Sequence, residues 1–259
     1  MTKSSIYRLP SKFLNQEVPF AVIFPKNYEK SEAKFPVLYL LHGLFGRFDN
    51  WLTNTEILEY AADCSFIIVC AEGGDGWYAD SPHLPHHLYE SYFLRELIPS
   101  VEKKFKVDAN RSKRMVAGLS MGGCGAFKFA LRRPEMFCFA ASMSGAFHAA
   151  EVFKGDLWTE IQPSINAVFG DDYSLRKQND LFQIIENYPA EKISELPILY
   201  FDCGAEDGFL PINTRLAEIF RRRKIAHEFK IPSGGHDWNY WNTQIKSLLQ
   251  KIENTFKTE

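Results

Sequence analysis

Residues 115–123, Met-Val-Ala-Gly-Leu-Ser-Met-Gly-Gly, carry an apolar strand pattern into Gly-x-Ser-x-Gly and straight on into a helical one. A chain can turn from strand to helix at a single serine only if that serine adopts backbone dihedrals most residues avoid. It also needs residues two places to either side that leave room where strand and helix nearly collide. Gly118 and Gly122 stand at those places. The pattern predicts that Ser120 presents its hydroxyl at the end of a buried strand. A turn at Asp108-Ala-Asn110 precedes the strand, and the apolar residues from Gly122 to Arg133 keep partly helical spacing until Pro134 stops them.

The rest of the chain alternates as such an elbow requires. Segments around Lys12 to Leu14 and Val18 to Phe24 predict an opening antiparallel pair. Phe35 to Leu41 is a continuous apolar run of the kind buried on both faces of a parallel sheet. A helix over Trp51 to Cys64, a strand at Phe66 to Ala71, a glycine-rich loop at Glu72-Gly73-Gly74-Asp75-Gly76 and a long helix from about Tyr89 to Phe105 follow. Beyond the elbow helix, strands are expected at Phe137–Met143, Ile198–Phe201 and Ala226–Ile231, with helices at Ile212–Arg223 and Trp238–Phe256. The predicted class is α/β: a mainly parallel central sheet with helices on both faces, in one domain spanning residues 1–259. Residues 146–196 break the rhythm, with Phe147, Phe153, Trp158, Phe169, Tyr173, Phe182 and Tyr188 in a loop-rich stretch. They are expected to form a cap-like insertion over the carboxyl ends of the strands, where such sheets bind substrates.

Composition removes several classes of function. With 46% hydrophobic residues, 24% charged residues and a net charge of -2, the chain has no electrostatic footprint for nucleic acid or an anionic membrane. The basic run Arg221 to Lys224 lies at a predicted helix end, where cations complement the dipole. The start of the chain has no apolar core of signal-peptide length, and no stretch of eighteen apolar residues occurs, so a cytoplasmic location is expected. Five cysteines without metal-like spacing are expected to be buried reduced thiols, with no metal and no other cofactor.

A serine hydroxyl is a weak nucleophile at neutral pH and needs a general base, for which histidine is suited. In doubly wound hydrolases the chain order is nucleophile, acid, histidine. Of seven histidines only His227 and His236 come late enough, and His227 falls inside a strand pattern. His236, in the glycine-containing loop before the last helix, is the expected base. The carboxylate that fixes its tautomer is sought just beyond Phe201, where Asp202, Glu206 and Asp207 are available. Asp207, placed in the loop beside Gly208, is preferred; Asp237 is expected to cap the last helix. Two backbone N–H groups must hold the developing oxyanion: those of Met121, after the nucleophile, and Leu44, after the first buried strand. Trp51, Trp77, Tyr78, Trp158 and Trp238 are candidates for the pocket wall and equally for the core.

Leu-Leu-His-Gly-Leu (40–44), Gly-Trp-Tyr-Ala-Asp (76–80), Gly-Leu-Ser-Met-Gly-Gly (118–123), Asp-Cys-Gly-Ala-Glu-Asp (202–207) and Gly-Gly-His-Asp-Trp (234–238) resemble one branch of the α/β-hydrolase superfamily. That branch includes esterase D (S-formylglutathione hydrolase), tributyrin and acetyl esterases, feruloyl esterases and the antigen 85 mycolyltransferases. The resemblance runs from about Phe20 to Leu249 and is nearest to the bacterial tributyrin esterases, through the Gly-Trp-Tyr segment and the ending at Trp241. It implies a triad of Ser120, Asp207 and His236, an oxyanion hole at Leu44 and Met121, and a metal-independent serine carboxylesterase acting on short-chain acyl esters through an acyl-enzyme.

A thioesterase like S-formylglutathione hydrolase, a feruloyl esterase and an acyltransferase are the enzymatic alternatives. A non-catalytic scaffold is the alternative from another class. The partners expected are a small-molecule ester and a second copy of the chain, with neither nucleic acid nor membrane among them. Because no metal-ligand spacing occurs, activity in excess EDTA is expected to equal that without chelator; loss of turnover in EDTA would contradict a metal-free mechanism.

Overall fold

The strand that delivers the serine lies in the middle of a sheet whose order is β1-β2-β4-β3-β5-β6-β7-β8. The computed structural model describes residues 2–151 and 161–256, and eight strands fall among them. They are β1 (Lys3–Ser11), β2 (Gln16–Phe24), β3 (Val37–Leu41), β4 (Ile67–Ala71), β5 (Arg114–Leu119), β6 (Phe139–Met143), β7 (Ile198–Asp202) and β8 (Glu228–Lys230). β1 pairs antiparallel with β2, and β2 antiparallel with β4. From β4 to β8 every pairing is parallel. All the parallel strands therefore release their chains along one rim, which brings together loops distant in sequence.

Both faces of this sheet are covered, and the strands show it in composition. In β3, Val37, Tyr39 and Leu41 enter one apolar cluster while Leu38 and Leu40 enter the other. The first cluster takes the helical run of Tyr89–Tyr92, Phe93–Leu97 and Ile98–Lys104, the elbow helix Met121–Arg132 and the helix Leu210–Arg222. The second takes the helices Asn50–Asn54 and Ile57–Tyr60 and the closing helix Trp238–Phe256. This is the α/β-hydrolase fold. Among the described residues no helix is long and apolar enough to cross a membrane.

Two expectations are corrected. The first strand is Lys3–Ser11, and Lys12 to Leu14 belong to the turn into β2, with Asn15 at φ +51°. β1 is an edge strand, with Tyr7 and Leu9 inward and Ile6 outward, so its polar composition hid it. The helix expected over Trp51 to Cys64 is broken at Thr55, which takes an extended conformation (φ -140°, ψ 164°). The Thr55 hydroxyl donates to the Trp51 carbonyl and accepts from the Ile57 N–H, a local competition for backbone groups that ends one helix and starts the next.

Within residues 146–196 the helices Gln162–Phe169 and Leu181–Glu186 pack their apolar sides into the same cluster as the elbow helix. Phe153 and Trp158 lie outside the described residues.

The close approach of strand and helix is measurable. A Cβ on Gly122 would lie 2.5 Å from the His42 carbonyl oxygen and 2.7 Å from that of Leu41, both backbone atoms that cannot retreat. In a helix Gly→Ala ordinarily stabilises by up to about 1 kcal/mol. Here Gly122→Ala is expected to destabilise by about 1–3 kcal/mol through overpacking, seen as a lower urea midpoint. An unchanged or raised midpoint would show that the elbow has slack.

Candidate active site

Ser120 has φ +51° and ψ -115°, a conformation that costs a non-glycine residue about 1–3 kcal/mol and persists only where its surroundings over-determine it. Here they do. The Ser120 N–H donates to the Met143 carbonyl at 2.9 Å, and the Ser120 carbonyl accepts from the N–H groups of Cys124 and Ala146, each at 3.1 Å. On the strand side, a Cβ at Gly118 would sit 2.4 Å from the carbonyl carbon of Gly122. Ser120 thus stands at the amino end of the helix Met121–Arg132, where unpaired N–H groups and the helix dipole favour negative charge.

His236 reaches it from 116 residues away: Nε2 lies 3.0 Å from Ser120 Oγ, and Nδ1 lies 3.0 Å from Asp207 Oδ2. A carboxylate can only accept, so Nδ1 carries the proton and Nε2 offers its lone pair to the serine hydroxyl. The Asp207 side chain is fully buried, whereas that of His236 is 31% exposed. Burial works against the Asp207 charge, but the hydrogen bonds from His236 and from the Phe209 N–H outweigh it, leaving the carboxyl below the ordinary range. The imidazole is held between the rings of Phe209, 4.4 Å away, and Trp241, at 4.9 Å. The loops carrying Asp207 and His236 are joined edge to edge. Ala205 N–H donates to the Pro232 carbonyl, Glu206 N–H donates to the Gly234 carbonyl, and Gly204 lies so close to Gly234 that a Cβ there would be 1.9 Å from its oxygen.

The other candidates have other partners. The Glu206 carboxylate accepts from the Gly234 N–H and so shapes the His236 loop rather than touching the imidazole. Asp202 accepts from the Tyr240 hydroxyl at 2.6 Å, tying β7 to the closing helix. His227 is packed against Phe201 and Phe220, with Nδ1 donating to the Ile225 carbonyl. Asp237 caps the closing helix by accepting from the Tyr240 N–H.

These groups open on a cleft of about 460 Å³ lined by Gly43, Leu44, Phe45, Gly46, Asn50, Trp77, Leu119, Ser120, Ala146, Ile161, Asp207, Gly208, Phe209, His236, Trp238 and Trp241. Among the described residues the Leu44 N–H donates to no protein acceptor, and Met121 begins the elbow helix, where its N–H has no intrahelical partner. Of the aromatic wall candidates Trp77 and Trp238 line the cleft. Trp51 and Tyr78 do not. Trp51 is fully buried behind Trp238, its indole N–H donating to the Leu41 carbonyl, and Tyr78 lies beneath the loop that follows β3, its hydroxyl accepting from the His42 N–H. Trp158 lies outside the described residues.

Sequence reasoning missed Phe45 and Phe209 as lining residues, although Phe209 is two residues from Asp207 and Phe45 follows Leu44 directly. Trp77 also anchors the insertion, its indole N–H donating to Ser164 Oγ at 3.0 Å. Among the described residues no group of three or more His, Cys, Asp or Glu could hold a metal ion.

Fold and site together define an ester hydrolase of the α/β-hydrolase class. The family model described as "Putative esterase" matches residues 11–252, and the chain belongs to that family. An acetyl esterase of Caldicellulosiruptor saccharolyticus is 27% identical over 93% of this chain and 94% of its own length. The S-formylglutathione hydrolase of Paracoccus denitrificans is 27% identical over 92% of this chain and 88% of its own. A solved ferulic acid esterase superposes with a TM-score of 0.85 at 28% identity, covering 99% of each chain.

Asp202 supplies a prediction about stability. Burial pushes its carboxyl up from 3.8 to about 7 against the hydrogen bond from Tyr240, so the folded protein holds it as the neutral acid below about pH 7. Its contribution is complete below its unfolded value and is lost as pH rises through about 7. The difference in unfolding free energy between wild type and Asp202→Asn is therefore expected to move toward the variant between pH 4 and 8, by at most about 4 kcal/mol. Parallel stability curves would contradict a raised Asp202.

Proposed function

We propose that the protein is a serine carboxylesterase that hydrolyses small neutral esters with short acyl chains through an acyl-enzyme. The observation that carries this is the Ser120–His236–Asp207 relay, at 3.0 Å and 3.0 Å, opening on a largely apolar cleft. Ser120 Oγ attacks the ester carbonyl while His236 Nε2 takes its proton, and Asp207 stabilises the imidazolium. The N–H groups of Leu44 and Met121 hold the negative oxygen of the tetrahedral intermediate. Its collapse breaks the C–O bond, and His236 returns the proton to the departing alcohol. Water, deprotonated by His236, then attacks the acyl-Ser120 ester and releases the acid and the free serine.

Apart from Asp207 and His236 the described lining residues are uncharged, which favours a neutral ester over a glutathione thioester with its two carboxylates. A feruloyl-type ester is the second reading. Trp77, Trp238, Trp241 and Phe209 offer flat apolar walls to an aromatic acyl group, and the ferulic acid esterase shares the whole fold.

Ser120→Ala and His236→Ala are each expected to lower kcat/KM at least about 1000-fold on p-nitrophenyl acetate, since a triad acts as a unit. Retention of a tenth of wild-type activity by either would remove the assignment. Across p-nitrophenyl esters from acetyl to palmitoyl, compared with methyl ferulate and S-formylglutathione, the short acyl esters are expected to give the highest kcat/KM. A preference for methyl ferulate would establish the second reading, and one for S-formylglutathione would overturn both.

A further inference from the structure

Beneath the loop that follows β3 lies a second imidazole–carboxylate pair that the relay does not use. His42 is wholly buried and Glu72, from the loop after β4, is 15% exposed at its side chain; His42 Nε2 and Glu72 Oε1 are 3.1 Å apart. His42 Nδ1 lies 2.7 Å from the Gly43 carbonyl oxygen, which can only accept, so Nδ1 carries a proton. Nε2 faces both the Gly73 N–H, at 2.9 Å, and Glu72, and with either partner Nδ1–H remains the donor to Gly43. The same carbonyl also accepts from the Gly46 N–H at 3.1 Å.

The Gly43–Leu44 peptide is trans, so its C=O and N–H point in opposite directions within one rigid plane. Whatever fixes the Gly43 oxygen on the buried side aims the Leu44 N–H on the other, toward the cleft that holds Ser120. We infer that His42 and Glu72 are positioning residues for the reaction, orienting the Leu44 N–H through the Gly43 carbonyl so that it meets the oxyanion. The inference rests on the esterase mechanism proposed above.

The pair is itself held from several sides. The Tyr78 hydroxyl accepts from the His42 N–H at 3.0 Å and donates to its carbonyl at 3.3 Å. Glu72 Oε2 accepts from the Phe48 N–H at 3.1 Å and Oε1 from the Gly74 N–H at 2.7 Å, so one carboxylate clamps both ends of the loop onto the turn after β4. Burial opposes the Glu72 charge, yet His42 and these N–H groups hold the carboxyl below its ordinary range. Asp75 Oδ1 adds an acceptor for the Phe45 N–H at 2.9 Å. A carbonyl that accepts two hydrogen bonds polarises its own amide, which also strengthens the Leu44 N–H as a donor.

The test compares His42→Ala, His42→Asn and Glu72→Gln with wild type, each normalised to folded protein by circular dichroism. Losing an oxyanion donor outright lowers the rate about 100- to 1000-fold, so misaiming it is expected to lower kcat about 10- to 100-fold in His42→Ala, with KM changed less than about 3-fold. Affinity for a trifluoromethyl ketone, which places an oxyanion in the same position, should fall in step with kcat/KM. An asparagine amide N–H can occupy the place of Nδ1–H, so His42→Asn should recover most of the loss. Glu72→Gln keeps the size of the side chain and the His42 Nδ1–H donor but leaves one of the Phe48 and Gly74 N–H groups without its carboxylate acceptor, so it should lower kcat in the same direction by a smaller factor, again with KM little changed.

A merely structural pair would lower the folded fraction while leaving kcat per folded molecule and ketone affinity unchanged. That result, in His42→Ala or, if it does not fold, in Glu72→Gln, would overturn the inference. Absence of esterase activity in the wild-type protein would instead overturn the mechanism beneath it.

Discussion

The site depends on one backbone conformation, that of Ser120 at φ +51° and ψ -115°. A strand and a helix cannot meet at one residue otherwise, and they can meet this closely only because Gly118 and Gly122 have no side chains to collide. Once that junction is made, much else follows from the parallel sheet. Strands β3, β5, β6, β7 and β8 end along one rim, so the loops carrying Leu44, Asp207 and His236 need only short paths to converge on Ser120. The strain at the serine is sustained by three backbone hydrogen bonds, to and from β6, the elbow helix and Ala146.

Around this junction the same device occurs twice. Asp207 holds His236 beside Ser120, and Glu72 contacts His42 beneath the loop that follows β3. In each pair a largely buried carboxylate keeps its charge because several N–H or side-chain donors converge on it. The aromatic rings complete the arrangement. Phe209 and Trp241 confine the His236 ring, so it is oriented by packing as well as by hydrogen bonding.

The parts legible in the sequence were those with a local rule. The elbow shows because its glycines have a steric reason fixed within five residues, and β3 and β4 show because burial on both faces leaves no polar residue in them. The order serine, acid, histidine pointed to the residues that the structure brings within hydrogen-bonding distance. What stayed hidden depended on tertiary direction. Trp77 and Tyr78 are neighbours with nearly the same positive φ, 51° and 49°, yet Trp77 faces the cleft and Tyr78 turns under it to His42. Thr55 breaks a helix through its own hydroxyl, which apolar periodicity cannot register. Glu72, beside a glycine-rich turn, looked like part of the turn, and only the fold shows that its carboxylate reaches back to Phe48 and His42.

The most direct test is the intact mass and peptide map of the protein after reaction with a fluorophosphonate, followed alongside residual esterase activity. One phosphonyl group per chain, on Ser120, with activity falling in proportion and with the labelling rate lost in His236→Ala, is the result predicted by a serine activated at this elbow. Label on another residue, or activity that survives stoichiometric labelling of Ser120, would contradict it.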